Sequence, residues 1–304
     1  MWHMCSRLCR HSGRAAVVVL LLAGLSFTSA EAKGDHEICI TFDELPAAQG
    51  FSSTAPDQVL RPILKALKKY DVKAAGFVVG QNLESSFDLL GQWLNDGHCL
   101  GNLTYSYSDL NEVGAVNVEA FIADIVAGQQ AIEPMLEGFG QQRRYFRYPF
   151  LHYGTSLEMY RAVAGYLDAN DIAVAHASVI VDDYLYDLGL QKVGGRPTDK
   201  EYEQLMNEYV NHVLDQIEAA EVLAKEILGR PCRQILQLRA NQLNAMYLDV
   251  MLQAIKDMGY EFISLDRALQ DEAYQKPHAY FGGKGVGYLE MIDRSDPDLL
   301  PAGE

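Results

Sequence analysis

Cysteine is scarce in this 304-residue chain, and two of the five, Cys5 and Cys9, fall in its first ten residues. The other three, Cys39, Cys99 and Cys232, are odd in number and widely spaced, so they supply neither a disulfide framework nor the CxxC pair of a zinc knuckle. Each lies in or beside an apolar strand-like run, where cysteine acts as a small buried hydrophobe. Basic residues are also few. The 25 Lys and Arg face 41 Asp and Glu, a net charge of −16 with a pI near 4.9, which argues against a nucleic-acid backbone or an anionic membrane surface as partner. Long apolar runs are missing too: Ala15 to Phe27 is too short to span about 30 Å of hydrocarbon comfortably. There is no internal repeat and no low-complexity tract. With 49% hydrophobic and 22% charged residues, the composition excludes a disordered, collagenous or multi-span membrane protein.

What is present begins with an export pattern. Arg7, Arg10 and Arg14 precede the apolar run, and Ala30-Glu31-Ala32 provides small residues spaced for a signal peptidase, so residues 1–32 read as a signal peptide. A retained signal anchor is the alternative. Cleavage would remove three basic residues and one acidic residue, taking the charge from −16 to −18, and would leave a secreted or periplasmic protein.

Beyond that, short β-rich runs alternate with helical periodicity. Glu37 to Phe42, Ala74 to Val79, Cys99 to Asn102, Arg144 to Arg147, Ile172 to Val181 in one or two pieces, Gln234 to Leu238 and Glu261 to Ser264 read as strands. Helices are expected around Val59, Ile63 and Leu67, after a cap at Asn117, along the long stretch Tyr202 to Leu228, and before Gly259. Such alternation implies a parallel sheet, and about seven units imply a (β/α) barrel, in which chemistry sits at the carboxyl ends of strands. Residues 33–270 form this domain. Residues 271–304 form a C-terminal extension in which Gly282-Gly283-Lys284-Gly285 lacks the strand before it and the Ser/Thr after it that a phosphate loop needs.

Five segments stand just after strands: Thr41-Phe42-Asp43-Glu44, Gly101 to Leu110, Tyr145-Phe146-Arg147-Tyr148-Pro149-Phe150, Asp182-Asp183-Tyr184, and Ile235-Leu236-Gln237-Leu238-Arg239-Ala240-Asn241. In that order they resemble the five motifs of the polysaccharide deacetylases, the NodB-homology or carbohydrate esterase family 4 proteins. The resemblance covers residues 35 to 270. It implies a distorted (β/α) barrel that binds one divalent metal, usually zinc, and removes acetyl groups from sugars. It also assigns Asp43 as general base, Arg147 as the arginine that orients it, and Asp183 as the acid of the fourth motif. Tyr148, Pro149, Phe150, Tyr184 and Leu238 match walls of the substrate groove.

The departures fall on the metal and the acid. The family's second metal-binding aspartate is Glu44 here, its two motif histidines are Leu103 and Tyr107, and its acid histidine is Arg239. Metal-assisted amide hydrolysis needs a cation with about three protein ligands and an open position. Leucine has no lone pair to give, so Glu44 is the one ordinary ligand left and no metal is expected. A guanidinium about 6 Å from a divalent ion would add repulsion of about 5 kcal/mol at an effective dielectric of 20, and it cannot donate a proton to a leaving amine. Arg239 could instead pair with Asp43, Glu44 or Asp183 in the place of the cation. His98, His152 and His176 are the remaining histidines near these strands that could relocate a metal site.

Three functions follow as expectations. The first is an exported, catalytically impaired deacetylase-fold protein that retains an N-acetylated glycan in its groove, with Tyr105, Tyr148, Phe150, Tyr153, Tyr184 and Tyr186 as candidate sugar-facing rings. The second is an active hydrolase of carbon–nitrogen bonds working through an altered metal site. The third is a structural, partner-binding envelope protein, because a barrel alone does not imply catalysis.

Overall fold

Strand β1 (Glu37–Leu45) is buried along almost its whole length, on both faces, as a central parallel strand must be. It pairs in parallel with β2 (Ala75–Val78) on one side and β7 (Gln234–Arg239) on the other. The sheet continues through β3 (Cys99–Asn102), β4 (Arg144–Phe146), β5 (Ile172–Val174) and β6 (Val179–Ile180) in the order β5-β4-β3-β2-β1-β7-β6. A short β8 (Glu261–Phe262) pairs with the start of β1 at Glu37 and Ile38. These elements come from a computed structural model that describes residues 36–48, 54–83, 86–112, 117–193 and 200–300; the signal peptide read at 1–32 lies outside them.

All pairings among the described strands are parallel, and seven strands follow one curled path, so the distorted (β/α) barrel expected from the sequence is the architecture found. The run from Ile172 to Val181 is two strands. Residues 175–178 pair with neither edge as a strand, and β5 and β6 become the two ends of the sheet, leaving a seam between them.

The helices cover the outside. In α1 (Pro56–Lys69) a proline occupies the first turn, where its missing N–H costs nothing, and Val59, Leu60, Ile63, Leu64 and Leu67 form the buried stripe. Next come α2 (Phe87–Asn95) and α3 (Val118–Gly138), the latter capped by the Asn117 side chain accepting from the Ala120 N–H at 2.7 Å. After α4 (Leu157–Ala169) and α5 (Asp183–Val193), the 29-residue α6 (Lys200–Leu228) lies along the flank against α5, β6 and β7, burying Tyr209, Val213, Ile217, Ala220 and Ala224. Helix α7 (Gln242–Asp257) follows, and Gly259 at φ 90° supplies the left-handed turn that ends it. Short α8 (Leu265–Leu269) and α9 (Tyr288–Asp293) complete the set.

Beyond Leu269 the chain stays on the barrel, with Tyr274, His278, Val286, Tyr288, Leu289 and Met291 buried. The glycines of Gly282-Gly283-Lys284-Gly285 serve this packing: a Cβ on Gly285 would lie 1.9 Å from the Phe150 carbonyl oxygen. Cys39, Cys99 and Cys232 are free thiols, and burial pushes those of Cys99 and Cys232 up to about 12, which makes them unreactive. Among the described residues no helix is long and apolar enough to cross a membrane.

Candidate functional site

At the carboxyl end of β1, residues that alternate along the strand share a face, so Thr41 and Asp43 both reach the barrel interior. There they meet Arg147, which leaves β4 fully buried. Its Nη1 donates to Thr41 Oγ1 at 2.7 Å and to Asp43 Oδ1 at 3.1 Å, its Nε to the Ala175 carbonyl at 3.0 Å, and its Nη2 to the His176 carbonyl at 3.5 Å. The guanidinium also lies 4.3 Å from the centre of the Phe77 ring. Gln237 Nε2 donates to Asp43 Oδ2, so both carboxylate oxygens are occupied.

Glu44 should point away from Asp43, because neighbours on a strand face opposite sides. Its backbone instead turns left-handed at φ 62°, beside an irregularity in the β1–β2 register, and the carboxylate stays at the mouth. Glu44 Oε1 accepts from the Tyr107 hydroxyl at 3.2 Å and lies 3.5 Å from Arg239 Nε. Burial, the Glu44 carboxylate and Asp43 all push the Tyr107 phenol far above its ordinary value, so it remains protonated and donates.

Asp183, the first residue of α5, receives Arg239 Nη1 at 2.8 Å on Oδ1. Its Oδ2 accepts the Arg239 N–H at 2.7 Å, Asn244 Nδ2 at 2.8 Å and Asn241 Nδ2 at 3.3 Å. Arg239 therefore stands between Asp183 and Glu44, with the Tyr184 ring 5.2 Å from its guanidinium. Burial opposes its charge, but Asp183 and the other acids outweigh that and raise its pKa. Asp43 is not one of its direct partners, since Arg147 holds that carboxylate. The mouth thus contains two ion-pair clusters, Arg147 with Asp43 inside and Arg239 with Asp183 and Glu44 outside.

Divalent metal does not fit these residues. Leu103 is fully buried in an apolar cluster with Val79, Phe121 and Tyr148, the Tyr107 proton is directed at Glu44, and a cation already lies between the two remaining acids. Among the described residues no three His, Cys, Asp or Glu side chains converge as a metal-holding group. The other histidines lie elsewhere. His98 Nδ1 accepts from the Ala74 N–H at 3.2 Å before β2, and burial drives its pKa down to about 4. His152 pairs with Asp109 at 2.7 Å, and His176 stacks among tyrosines at the seam.

Of the five groove positions, Phe150 is 39% exposed and Tyr184 is partly exposed, whereas Tyr148, Pro149 and Leu238 are buried by packing. Tyr148 and Tyr153 are buried with their rings tilted against each other at 4.3 Å, and Tyr186 packs on Tyr209 of α6. Tyr105 is exposed, and Phe150 covers Tyr107 at 4.6 Å. Asn102-Leu103-Thr104 has the pattern of a glycosylation sequon, but Asn102 is fully buried and its Nδ2 donates to the Ile125 carbonyl at 2.8 Å. Sequence reasoning missed Gln237 and Asn244; the Asn241-x-x-Asn244 spacing after β7 was the available signal, since a helix N-cap at Asn241 turns residue 244 back to the strand end.

A curled parallel barrel with an Asp–Arg pair inside its mouth and motif segments after successive strands defines a class. Residues 30–168 match the family model described as polysaccharide deacetylase. The chain is 30% identical over 123 residues to a peptidoglycan-N-acetylglucosamine deacetylase of Bacillus cereus, covering 40% of this chain and 38% of that protein. It is 34% identical over 83 residues to an uncharacterized 30.6 kDa protein of Geobacillus stearothermophilus, covering 27% and 28%. The matches thus span well under half the length of these curated relatives. Among solved structures, a CE4 family pseudoenzyme from Bacillus anthracis superposes with a TM-score of 0.55 at 16% identity, over 78% of this chain and 66% of that one. A mutant CE4 family pseudoenzyme with restored enzymatic activity gives 0.55 at 17%, over 78% and 68%. A peptidoglycan N-acetylglucosamine deacetylase gives 0.52 at 21%, over 76% and 87%. At these identities the likeness to the solved structures is one of fold.

Proposed function

We propose that this chain is an exported, secreted or periplasmic deacetylase-like protein of carbohydrate metabolism that holds an N-acetylated glycan at the barrel mouth without hydrolysing it efficiently. Residues 1–32 act as its signal peptide and 33–270 as its deacetylase-like domain, with 271–304 as an extension. The observation that carries the reading is the position of Arg239. Its guanidinium pairs with both Asp183 and Glu44 where the family's chemistry would place a cation, and it has no proton to give near neutral pH. Phe150, whose ring lies 4.6 Å from that of Tyr107, leaves an aromatic face exposed at the same mouth, where a sugar ring could stack.

Metal content of the purified protein, measured with acetate release from acetylated chitooligosaccharide and peptidoglycan, tests this reading. The expected result is metal far below one ion per chain, no chelator-sensitive acetate release, and a melting temperature unchanged by chelator, because the apolar core and not an ion holds the barrel together. Stoichiometric zinc with chelator-sensitive turnover would promote the alternative, an active carbon–nitrogen hydrolase with a relocated metal. Retention of a protein partner independent of glycan would favour the structural role.

A further inference from the structure

The seam between β5 and β6 is closed by the C-terminal segment. The Tyr288 N–H donates to the Ala177 carbonyl at 2.7 Å, a Cβ on Gly287 would lie 2.7 Å from the Ser178 carbonyl oxygen, and Gly285 abuts the Phe150 carbonyl. On the far side, Asn111 Nδ2 donates to the Gly282 carbonyl at 3.3 Å. The segment therefore runs from the mouth to the seam, and its anchor is aromatic: His278 sits 4.6 Å from Tyr160, 5.2 Å from Tyr153 and 5.5 Å from Tyr288, centre to centre, while His176 lies 3.8 Å from Tyr288.

This anchor is incomplete in its hydrogen bonding. His278 is 2% exposed, yet neither of its ring nitrogens has a partner, and the buried Tyr148 hydroxyl is unpartnered as well. A buried imidazole without an acceptor for a second proton is held neutral by its surroundings. The titratable and charged groups facing the pair are Tyr153 and Tyr160 from α4 and the loop before it, Tyr148 and Arg147 after β4, Tyr274, and Tyr288 of α9. No carboxylate is in ring contact with either histidine, and burial, then His278 and Arg147, disfavour the charged form of His176. Burial lowers His278 to about 4 and holds His176 well below its ordinary value. A groove of about 770 Å³, lined by Tyr160, His176 and Tyr274 and carrying Arg143, Asp168 and Asp171 on its walls, reaches the His176 side of the anchor.

We propose that residues 276–293 form an acid-released strap: protonation of His278 and His176 detaches the segment from the β5–β6 seam while the rest of the barrel stays folded. Release matters to the mouth because the Ala175 and His176 carbonyls, in the loop the strap covers, hold Arg147, which holds Asp43. The inference does not depend on whether the site hydrolyses anything, so it can fail or stand independently of the proposed function.

The sign is set by linkage. Both histidines bind protons more weakly on the closed strap than when released, so closure is fully favoured above about pH 6.5 and weakens as pH falls toward the closed-state values. Each histidine contributes up to about a tenfold rise in opening per pH unit in that window. Hydrogen–deuterium exchange of the full protein at pH 7.5, 6 and 5, with labelling times matched for intrinsic rate, reads this directly. Peptides within 276–293 should gain exchange by roughly 30-fold or more between pH 7.5 and 5, while β1 and β7 keep their protection. His278→Phe should reduce the pH dependence of the strap and leave β1 unchanged. Should that variant not fold, His278→Leu and the wild-type profile decide in its place. Equal strap protection at pH 7.5 and 5, simultaneous loss from strap and β1, or an unaltered pH profile in a folded variant would each overturn the proposal.

Discussion

Replacing Arg147 with methionine is expected to destabilise the protein by about 3 to 5 kcal/mol, the cost of leaving a buried carboxylate without its partner. Asp43 is 1% exposed and would keep Gln237 as its remaining partner, while the Thr41 hydroxyl and the Ala175 and His176 carbonyls would lose a common donor. For a domain with a net stability of about 5 to 15 kcal/mol, that is a drop in melting temperature of roughly 10 °C or more. Thermal and urea unfolding measure it. Asp43→Asn in the Arg147→Met background should cost much less than the sum of the two single changes, since the second substitution removes the charge the first one stranded. A melting temperature for Arg147→Met within about 2 °C of the parent, the range of an ordinary surface change, would show that the pair carries no such weight.

The other large effect is a gain. Combining Leu103→His, Tyr107→His, Glu44→Asp and Arg239→His should create zinc binding and chelator-sensitive acetate release, on the order of 100-fold above the parent, with each single change giving almost nothing. Two imidazoles and a carboxylate supply three ligands with an open position, and removal of Arg239 takes away the competing cation while providing a group able to pass a proton near neutral pH. Leu103→His alone should cost about 1 to 3 kcal/mol, because it inserts a polar ring into a fully buried apolar site. Zinc at 100 times its dissociation constant would then stabilise the fourfold variant by about 2.7 kcal/mol. Calorimetry with and without zinc checks the binding, and acetate release checks the turnover. Full activity from any one of the four substitutions would contradict the view that ligation and proton transfer fail at separate positions.

Left-handed backbone at Glu44, Thr104, Tyr107, Phe150, Leu151 and Asp182 clusters in the segments after the strands that build this mouth. Such conformations cost about 1 to 3 kcal/mol each for non-glycine residues and persist where surrounding structure over-determines them. The strained loops of a site are therefore retained around an ion-pair cluster in which no metal fits.

Periodicity alone determined most of the fold. The alternation of apolar strands with amphipathic helices, the cap at Asn117, the stop at Gly259 and the long face of α6 are local features, readable because strand and helix repeats are set by neighbours along the chain. The ordered motif segments likewise identified the family and singled out Asp43, Arg147, Asp183 and Arg239. Which charges meet was decided only in three dimensions. Arg239 had three acids within reach in sequence terms, and it was the full engagement of Asp43 by Arg147 and Gln237 that left it Asp183 and Glu44. Burial was equally illegible: Tyr148 and Phe150 are two residues apart in one motif, yet one is buried and the other faces solvent, because the left-handed turn at Phe150 reverses the chain there. The seam and its aromatic cover depend on contacts between residues more than a hundred positions apart, such as Ala177 and Tyr288, and no local pattern in a single sequence encodes a pairing of that range.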